Sequence, residues 1–317
     1  LDPAELSRLS EIPEKAGIPC VLTFRKPKDG GVNDKIDDET RCSILYSALK
    51  GGFSYIDIED DASSAAEKRI ISAAEERGMR VIKSFHDFDG VSDDILEKIK
   101  HNASNGRYIS KAAVMPKSTA DFLKIADVFK KLNALGNNED SAGFDYILLG
   151  MGSFGFPTRV LSSFFGSLWT FTSAGEVKAA PGQITPHALA GDYSFSSIDR
   201  NTRVYGIIGR PVMHSKSPQL HNAWFRKNNM NAVYLPFETD DPALFLEKAP
   251  SLGIFGLSVT VPYKQKVIEL AGSVDESVHT VGACNTLVLD EERHEWIGYN
   301  TDWKGFLKPI AVLSLEG

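Results

Sequence analysis

Residues 18 to 175 alternate short apolar runs with segments whose apolar positions recur every three or four residues. The runs predict strands at Ile18–Arg25, Ser54–Glu59, Arg80–Phe88, Arg107–Met115, Phe144–Gly150 and Trp169–Thr172. The intervening segments predict helices at Asp38–Lys50, Ser63–Arg77, Ser92–Asn102, Ser118–Leu135 and Thr158–Phe165, with a helix-like Pro3–Lys15 ahead of them all. Ser92 suits an N-cap, because Asp93 and Asp94 after it place negative charge at the positive end of the helix dipole. Five strand–helix repeats and a last strand read as parallel βα units. Six strands are two short of a closed eight-stranded barrel, so the pattern fits an open sheet or a barrel whose first two strands lie outside the sequence. Gln183–Ser194 reads as a helix, and Ser196–Arg203 as a short polar connector. A second α/β region then begins. Its strands are expected at Val204–Gly209, Ala232–Phe237, Gly256–Val261 and Thr286–Asp290, with helices near Pro218–Asn228, Pro242–Ala249 and Tyr263–Leu270.

Two lysines stand inside this pattern where a charge is expensive. Lys111 lies in Tyr-Ile-Ser-Lys-Ala-Ala-Val-Met-Pro (108–116), and Lys264 follows Leu-Ser-Val-Thr-Val-Pro-Tyr (257–263). An ammonium removed from water needs a partner or loses its proton. Neutral, it is a nucleophile toward ketones; paired, it is a proton donor. Successive strand ends of the first region add Arg25 and His86, the following loop adds Arg159, and Gln183 comes later. Arginine holds a carboxylate with two parallel hydrogen bonds, and histidine moves a proton near neutral pH. Taken singly, His86 reads equally well as a buried histidine bonded to a carbonyl, and Arg159 as a surface residue at a helix start.

At 317 residues the chain has room for two domains. Its 42% hydrophobic and 24% charged content is that of a soluble globular protein. A net charge of -7 and an isoelectric point near 5.6 argue against a nucleic-acid surface. An anionic substrate must therefore be captured by a local cationic cluster. Cys20, Cys42 and Cys284 form no CxxC pair, which points to a reducing compartment, no disulfide framework and no metal site. Neither a run of 18 apolar residues nor a signal-like start is read, so no membrane span and no secretion are expected.

The first constellation carries a resemblance. Thr-Phe-Arg (23–25) with Gly-Gly (30–31), Ser-Phe-His-Asp-Phe (84–88), Lys-Ala-Ala-Val-Met-Pro (111–116), Met-Gly-x-x-Gly…Arg (151–159) and Ala-Pro-Gly-Gln (180–183) resemble type I 3-dehydroquinate dehydratases over about 165 residues. That resemblance implies a TIM barrel, incomplete here, over residues 1–195. It implies that Lys111 forms a Schiff base with the ketone of 3-dehydroquinate and that His86 moves the adjacent proton. Arg25, Arg159 and Gln183 would hold the carboxylate and hydroxyls. The chain departs from the family at Asp29, where a glutamate is usual, at Ala179, where a serine is frequent, and in lacking the early Glu-x-Arg strand.

In the second region, Ser215 and Ser217 in Gly-Arg-Pro-Val-Met-His-Ser-Lys-Ser-Pro (209–218) place two hydroxyls before a helix. Such a turn offers a small anion site or, more simply, a helix cap. Ser-Val-Thr-Val-Pro-Tyr-Lys (258–264), Gly-Ala-Cys-Asn-Thr (282–286) and Tyr-Asn-Thr-Asp (299–302) come later in the chain. By themselves Asn285 reads as a turn residue and Asp302 as the N-cap of a helix Trp303–Leu313. The four motifs in order resemble the substrate domain of shikimate dehydrogenases, over residues 204–317. The resemblance implies Ser215 and Ser217 at a substrate carboxylate, Thr260, Asn285 and Thr301 at ring hydroxyls, and Lys264 with Asp302 in proton transfer. It also implies NADP, held by a further dinucleotide-binding domain, yet no GxGxxG following a strand is read. Together the halves resemble the bifunctional dehydratase/dehydrogenases of plants and some bacteria. A shikimate-pathway enzyme acting on 3-dehydroquinate, 3-dehydroshikimate and shikimate is therefore expected, in the cytoplasm or plastid stroma. A related quinate-sensing repressor without catalysis is the alternative.

Overall fold

The computed structural model describes residues 3–62, 64–136, 144–173 and 181–313. By contacts the chain falls into two compact units. The first comprises Leu1–Met115, Val128–Leu149 and Ser167–Trp169; the second comprises Pro116–Asp127, Gly150–Gly166 and Thr170–Gly317.

The first sheet holds five strands in the order β1 (Val21–Thr23), β2 (Tyr55–Glu59), β3 (Arg80–Asp87), β4 (Ile109–Val114) and β5 (Tyr146–Gly150). β1, β2, β3 and β4 pair in parallel, each with its sequence neighbour. Among the described residues this sheet is open, with β1 and β5 as its edges. The sixth predicted strand, Trp169–Thr172, forms no strand; its Trp169 ring instead packs edge-on against Tyr55 at 4.8 Å. Side chains alternate across a strand, and register decides which ones become neighbours. Glu59 pairs with Ser84 and Ser84 with Lys111, so one face gathers Asp57, Glu59, Ser84, His86 and Lys111. The opposite face carries Ile56, Ile58 and Val81, which bury against Cys42 and Leu45 of helix Asp38–Ala48 and Ile70 and Ala74 of helix Ala65–Glu76. Each large aliphatic side chain removed from water there contributes about 1.5–3 kcal/mol relative to exposure. Helix Ala65–Glu76 starts on a capping box. The Ser64 hydroxyl accepts from the Glu67 amide, and the Glu67 carboxylate accepts from the Ser64 amide.

Two expected helix starts move. The helix expected from Ser92 is Ile95–Ala103, entered after Asp94, with the Ser92 carbonyl accepting from the Ile95 amide. The helix expected from Thr158 already begins at Gly152 and runs to Val160, followed by a short helix Ser162–Phe165. Gly155 and Pro157 look like loop residues, but Gly155 serves close approach. A Cβ on it would sit 2.3 Å from the Gly150 carbonyl carbon. The Thr158 hydroxyl fastens the turn, donating to Gly155 O and accepting from Gly150 N, both at 2.7 Å.

The second sheet has six strands in the order β7–β6–β8–β10–β11–β9: β6 Arg203–Gly209, β7 Ala232–Glu238, β8 Ile254–Val259, β9 Ser273–Val274, β10 Thr286–Asp290 and β11 Glu295–Tyr299. β7, β6 and β8 are parallel, whereas β10 runs antiparallel to both β8 and β11. β9 and β11 were absent from the sequence-based expectation. β9 is two residues long, and Gly298 interrupts the apolar alternation of β11 although that glycine and Trp296 are both buried. Tyr263–Leu270, expected as a helix, contains only the single-turn helix Lys266–Ile268. Helices Pro186–Tyr193, Ser217–Lys227, Pro242–Lys248, Glu276–Val281 and Asp302–Leu313 also belong to this unit. No helix among the described residues is long and apolar enough to cross a membrane.

Candidate active sites

Lys111 is 7% exposed, on the polar face of the first sheet. Its Nζ lies 2.7 Å from Asp57 Oδ2, and Arg25 Nη2 lies 2.7 Å from the same oxygen. Ser84 donates to Asp57 Oδ1 at 2.6 Å and accepts from Arg25 Nη1 at 2.6 Å. Asp57 therefore faces two cations and one hydroxyl. Burial alone would raise the Asp57 carboxyl pKa, but Lys111 and then Arg25 outweigh it and hold the group well below the carboxylate range. For Lys111 burial is the largest influence and lowers the pKa; Asp57 opposes this, Arg25 adds to it, and the net shift is downward. The result is an amine that gives up its proton more readily than an exposed lysine, beside a carboxylate that does not compete for it.

His86, two residues beyond Ser84 on β3, meets Asp29, with Nδ1 and Oδ1 3.3 Å apart. Burial lowers the imidazole pKa more than Asp29 raises it, so the ring holds a proton less readily than an exposed histidine. Asp29 is brought there by the turn after β1. Gly30 adopts φ +90°, and a Cβ on Gly31 would lie 2.1 Å from the Arg25 carbonyl oxygen, so both glycines are required. Asp29 Oδ2 is buried with no hydrogen-bond partner.

Arg159 and Gln183 belong to the second compact unit and are described by their own surroundings. Arg159, 1% exposed, has Nη2 3.4 Å from Pro181 O, while Nε and Nη1 are buried without partners. The same Pro181 oxygen accepts from Gly152 N at 3.2 Å, which ties the arginine to the first turn of its own helix. A Cβ on Gly182 (φ +75°) would lie 2.8 Å from Gly152 O, so the turn leading to Gln183 also packs on that helix start. Burial lowers the Arg159 pKa to about 10. Buried guanidinium N–H groups left unpaired are costly, and a carboxylate would satisfy them. Ala179 lies outside the described residues.

The second site gathers around Asn285. Lys264 Nζ and Asp302 Oδ2 are 2.6 Å apart, and Asn285 Nδ2 donates to Asp302 Oδ1 at 2.7 Å and to Thr301 Oγ1 at 3.0 Å. Asn285 Oδ1 accepts from the Thr301 amide and from the Thr286 hydroxyl, both at 2.9 Å. Cys284 N donates to Lys264 O at 2.7 Å, locking the lysine's turn to the asparagine strand. The Lys264 and Asp302 side chains are 35% and 57% exposed, so the pair borders solvent. The hydrogen bond from Lys264 is the main reason the Asp302 pKa is lowered. Asp302 is not an N-cap. Asn300 takes that role, accepting from the amides of Asp302 and Trp303 at 3.0 and 3.4 Å, and thereby leaves the Asp302 carboxylate to Lys264 and Asn285. Thr260 closes β8, and its Cγ2 would be 2.5 Å from a Cβ on Gly209, so glycine there makes room for it. Ser215 Oγ accepts from Ser217 N at 3.2 Å in the turn just ahead of helix Ser217–Lys227, whose N-cap Lys216 makes no side-chain capping bond.

Residues 2–200, more than half of the chain, match the family described as Type I 3-dehydroquinase. The chain belongs to that type I 3-dehydroquinase family. A solved 3-dehydroquinate dehydratase of Geobacillus kaustophilus aligns with a TM-score of 0.51 and 25% identity over 58% of this chain and 70% of its own. Past the dehydroquinase part, residues 207–287 match the shikimate dehydrogenase substrate binding domain. The bifunctional 3-dehydroquinate dehydratase/shikimate dehydrogenase of Arabidopsis thaliana, named as chloroplastic, is 32% identical over 96% of this chain and 49% of its own length. The NADP(+) shikimate dehydrogenase of Syntrophobacter fumaroxidans is 45% identical over 37% of this chain and 40% of that protein. The chain thus spans about half the length of its plant relative.

Four residues of these two clusters escaped the sequence reading. Asp57 and Glu59 stand at alternate positions of Tyr-Ile-Asp-Ile-Glu, and two acids on one face of an otherwise apolar strand are the signal that exposes them. Ser84 and Asn300 carry no such mark. Contrary to the expectation that no GxGxxG follows a strand, Gly150-Met-Gly-Ser-Phe-Gly155 spells one at the junction of β5 and helix Gly152–Val160. That helix start is already engaged by Pro181 and its own Arg159. The residues there do not fit a dinucleotide, and no step is assigned to one.

Proposed function

We propose that this chain carries the dehydratase site and the shikimate-binding site of a bifunctional shikimate-pathway enzyme. The observation that supports the reading most directly is a buried lysine of lowered pKa, paired to Asp57, on the same sheet face as a histidine of lowered pKa held by Asp29. Lys111 Nζ attacks the ketone carbon of 3-dehydroquinate, and loss of water leaves an imine. His86 removes the proton next to that carbon, the electrons move toward the imine nitrogen, and the departing hydroxyl takes a proton from His86 and leaves as water. Water then hydrolyses the imine, releasing 3-dehydroshikimate and the free amine. Arg159 is proposed as the carboxylate anchor, with Gln183 at a hydroxyl and Arg25 and Asp29 completing the set. Both terminal nitrogens of Arg25 are already engaged with Asp57, Glu59 and Ser84, which favours Arg159 as the main anion partner.

For the second site we propose 3-dehydroshikimate and shikimate as ligands, held by Ser215, Ser217, Thr260, Asn285 and Thr301. Lys264 and Asp302 exchange the proton of the reacting oxygen. The hydride would come from NADPH in the full-length protein. Domain limits of 1–195 and 204–317 are part of the same proposal, supported by family matches over residues 2–200 and 207–287. A cytoplasmic or plastid location goes with the same reading. The sensing alternative has no support in the relatives, which are named as enzymes, and a ligand sensor has no use for an imine-forming amine.

Borohydride added with 3-dehydroquinate should leave a reduced adduct on the peptide containing Lys111, and none in Lys111→Ala. Absence of the adduct in the parent chain would remove the dehydratase assignment. Shikimate titrated calorimetrically should bind the parent chain and bind Asp302→Asn less tightly; equal affinity would argue against the second site.

A further inference from the structure

The polar face around Lys111 does not end at the reacting groups. Glu59, 1% exposed, accepts from Lys26 N at 2.8 Å and from Arg25 Nη1 at 3.3 Å through Oε1, while Oε2 faces Arg41 Nη1 at 3.4 Å. Arg41, from helix Asp38–Ala48, is also buried. It reaches Glu67 Oε1 at 2.8 Å, Asp38 Oδ1 at 3.0 Å and the Phe24 carbonyl at 3.3 Å. Glu67 pairs in turn with Lys26 Nζ at 2.7 Å. A line of alternating charge thus runs from the amine through Asp57, Arg25, Glu59 and Arg41 to the first turn of helix Ala65–Glu76.

We infer that Arg41 and Glu59 are positioning residues for the dehydration: Glu59 grips Arg25 and the backbone beside it, Arg41 orients Glu59, and together they fix the charge that Lys111 experiences. The inference rests on the dehydratase reading. Burying this many charges stabilises a fold poorly compared with apolar packing, so a structural purpose alone accounts for it badly. What the line does achieve is to hold Arg25 against Asp57. Without that arginine the carboxylate would act on Lys111 alone and keep its proton in place. Among the described residues, the titratable groups facing Lys111 include Asp57 and Glu59 from β2, Arg25 just past β1 and His86 from β3. Arg25 favours the neutral amine, whereas Asp57 and Glu59 favour the ammonium.

Opposite signs make the inference testable. In Arg41→Met, Glu59 loses its outer cation and its charge acts more fully on Arg25 and Lys111. The acid-side midpoint of kcat/KM for 3-dehydroquinate should then rise by about one pH unit, a loss that approaches about tenfold well below the original midpoint and that higher pH restores. Arg41→Lys should recover part of the shift. In the isosteric Glu59→Gln a negative charge disappears, and the midpoint should fall. A merely structural role would lower activity in both variants without moving either midpoint, or move both the same way, and either result overturns the inference. Should Arg41→Met fail to fold, Arg41→Lys and Glu59→Gln still give the comparison, and an unmoved midpoint in both rejects it. Borohydride trapping on Lys111 in the parent chain is run alongside. Its failure would sink the dehydratase reading itself, whereas trapping with unmoved midpoints sinks only the role of Arg41 and Glu59.

Discussion

The two lysines look alike in the sequence and differ in the structure. Lys111 is sealed into the polar face of a parallel sheet, with Asp57 and Arg25 meeting at one carboxylate oxygen. Lys264 stands on the turn after β8, at the border of solvent, with a single carboxylate opposite and an asparagine bracing that carboxylate. An amine that must become neutral to attack carbon gains from burial and from a nearby arginine. An amine that only passes a proton can work as one half of an ion pair at the border of solvent. Apolar neighbours in the sequence thus mark a lysine of interest, but the kind of chemistry depends on depth and on the count of opposing charges.

The comparison breaks most sharply at the nucleophile. Lys111→Ala should abolish dehydration and the trapped adduct, while Lys264→Ala should leave both in place; an adduct surviving Lys111→Ala means that another amine reacts. The next largest difference is in stability. Asp57→Asn leaves Lys111 and Arg25 buried without their shared carboxylate and should cost about 3–5 kcal/mol in urea unfolding. Asp302→Asn removes a solvent-bordering partner and should cost about 1 kcal/mol or less. Equal losses would show that the two environments are not distinct. Acid titration sharpens the contrast. The folded Asp57 pKa is depressed, so its contribution is complete above the unfolded value of about 4 and is lost as pH falls through the folded value. The stability gap between the parent chain and Asp57→Asn should therefore stay constant from pH 7 to about 4 and shrink below it. Salt is expected to have the smallest effect. Raising it from 0.1 to 1 M shortens the screening length from about 10 to about 3 Å. That should erode the effect of Asp302→Asn on stability and leave the effect of Asp57→Asn nearly unchanged.

Most of the βα order was legible because helices and strands impose different periods on apolar residues, and β1 to β5 fall where those periods place them. The failures have local causes. Gly155 and Pro157 concealed a helix that exists because two glycine backbones touch, and Gly298 concealed β11. Asn285 and Asp302 each read as simple turn or cap residues, and only the presence of Asn300 as the actual cap shows why the Asp302 carboxylate is available.

By itself the sequence determined most of the element order, the candidate residues within its motifs, and the family through motifs spaced along the chain. Tertiary structure decided who partners whom. Register aligned Glu59, Ser84 and Lys111 across three strands, brought Asp57 within 2.7 Å of the amine, and left Arg159 with unpaired donors. The reason is physical. Periodicity is a property of one segment, whereas a pKa depends on burial and on charges delivered by other segments, whose distances no single stretch of residues encodes.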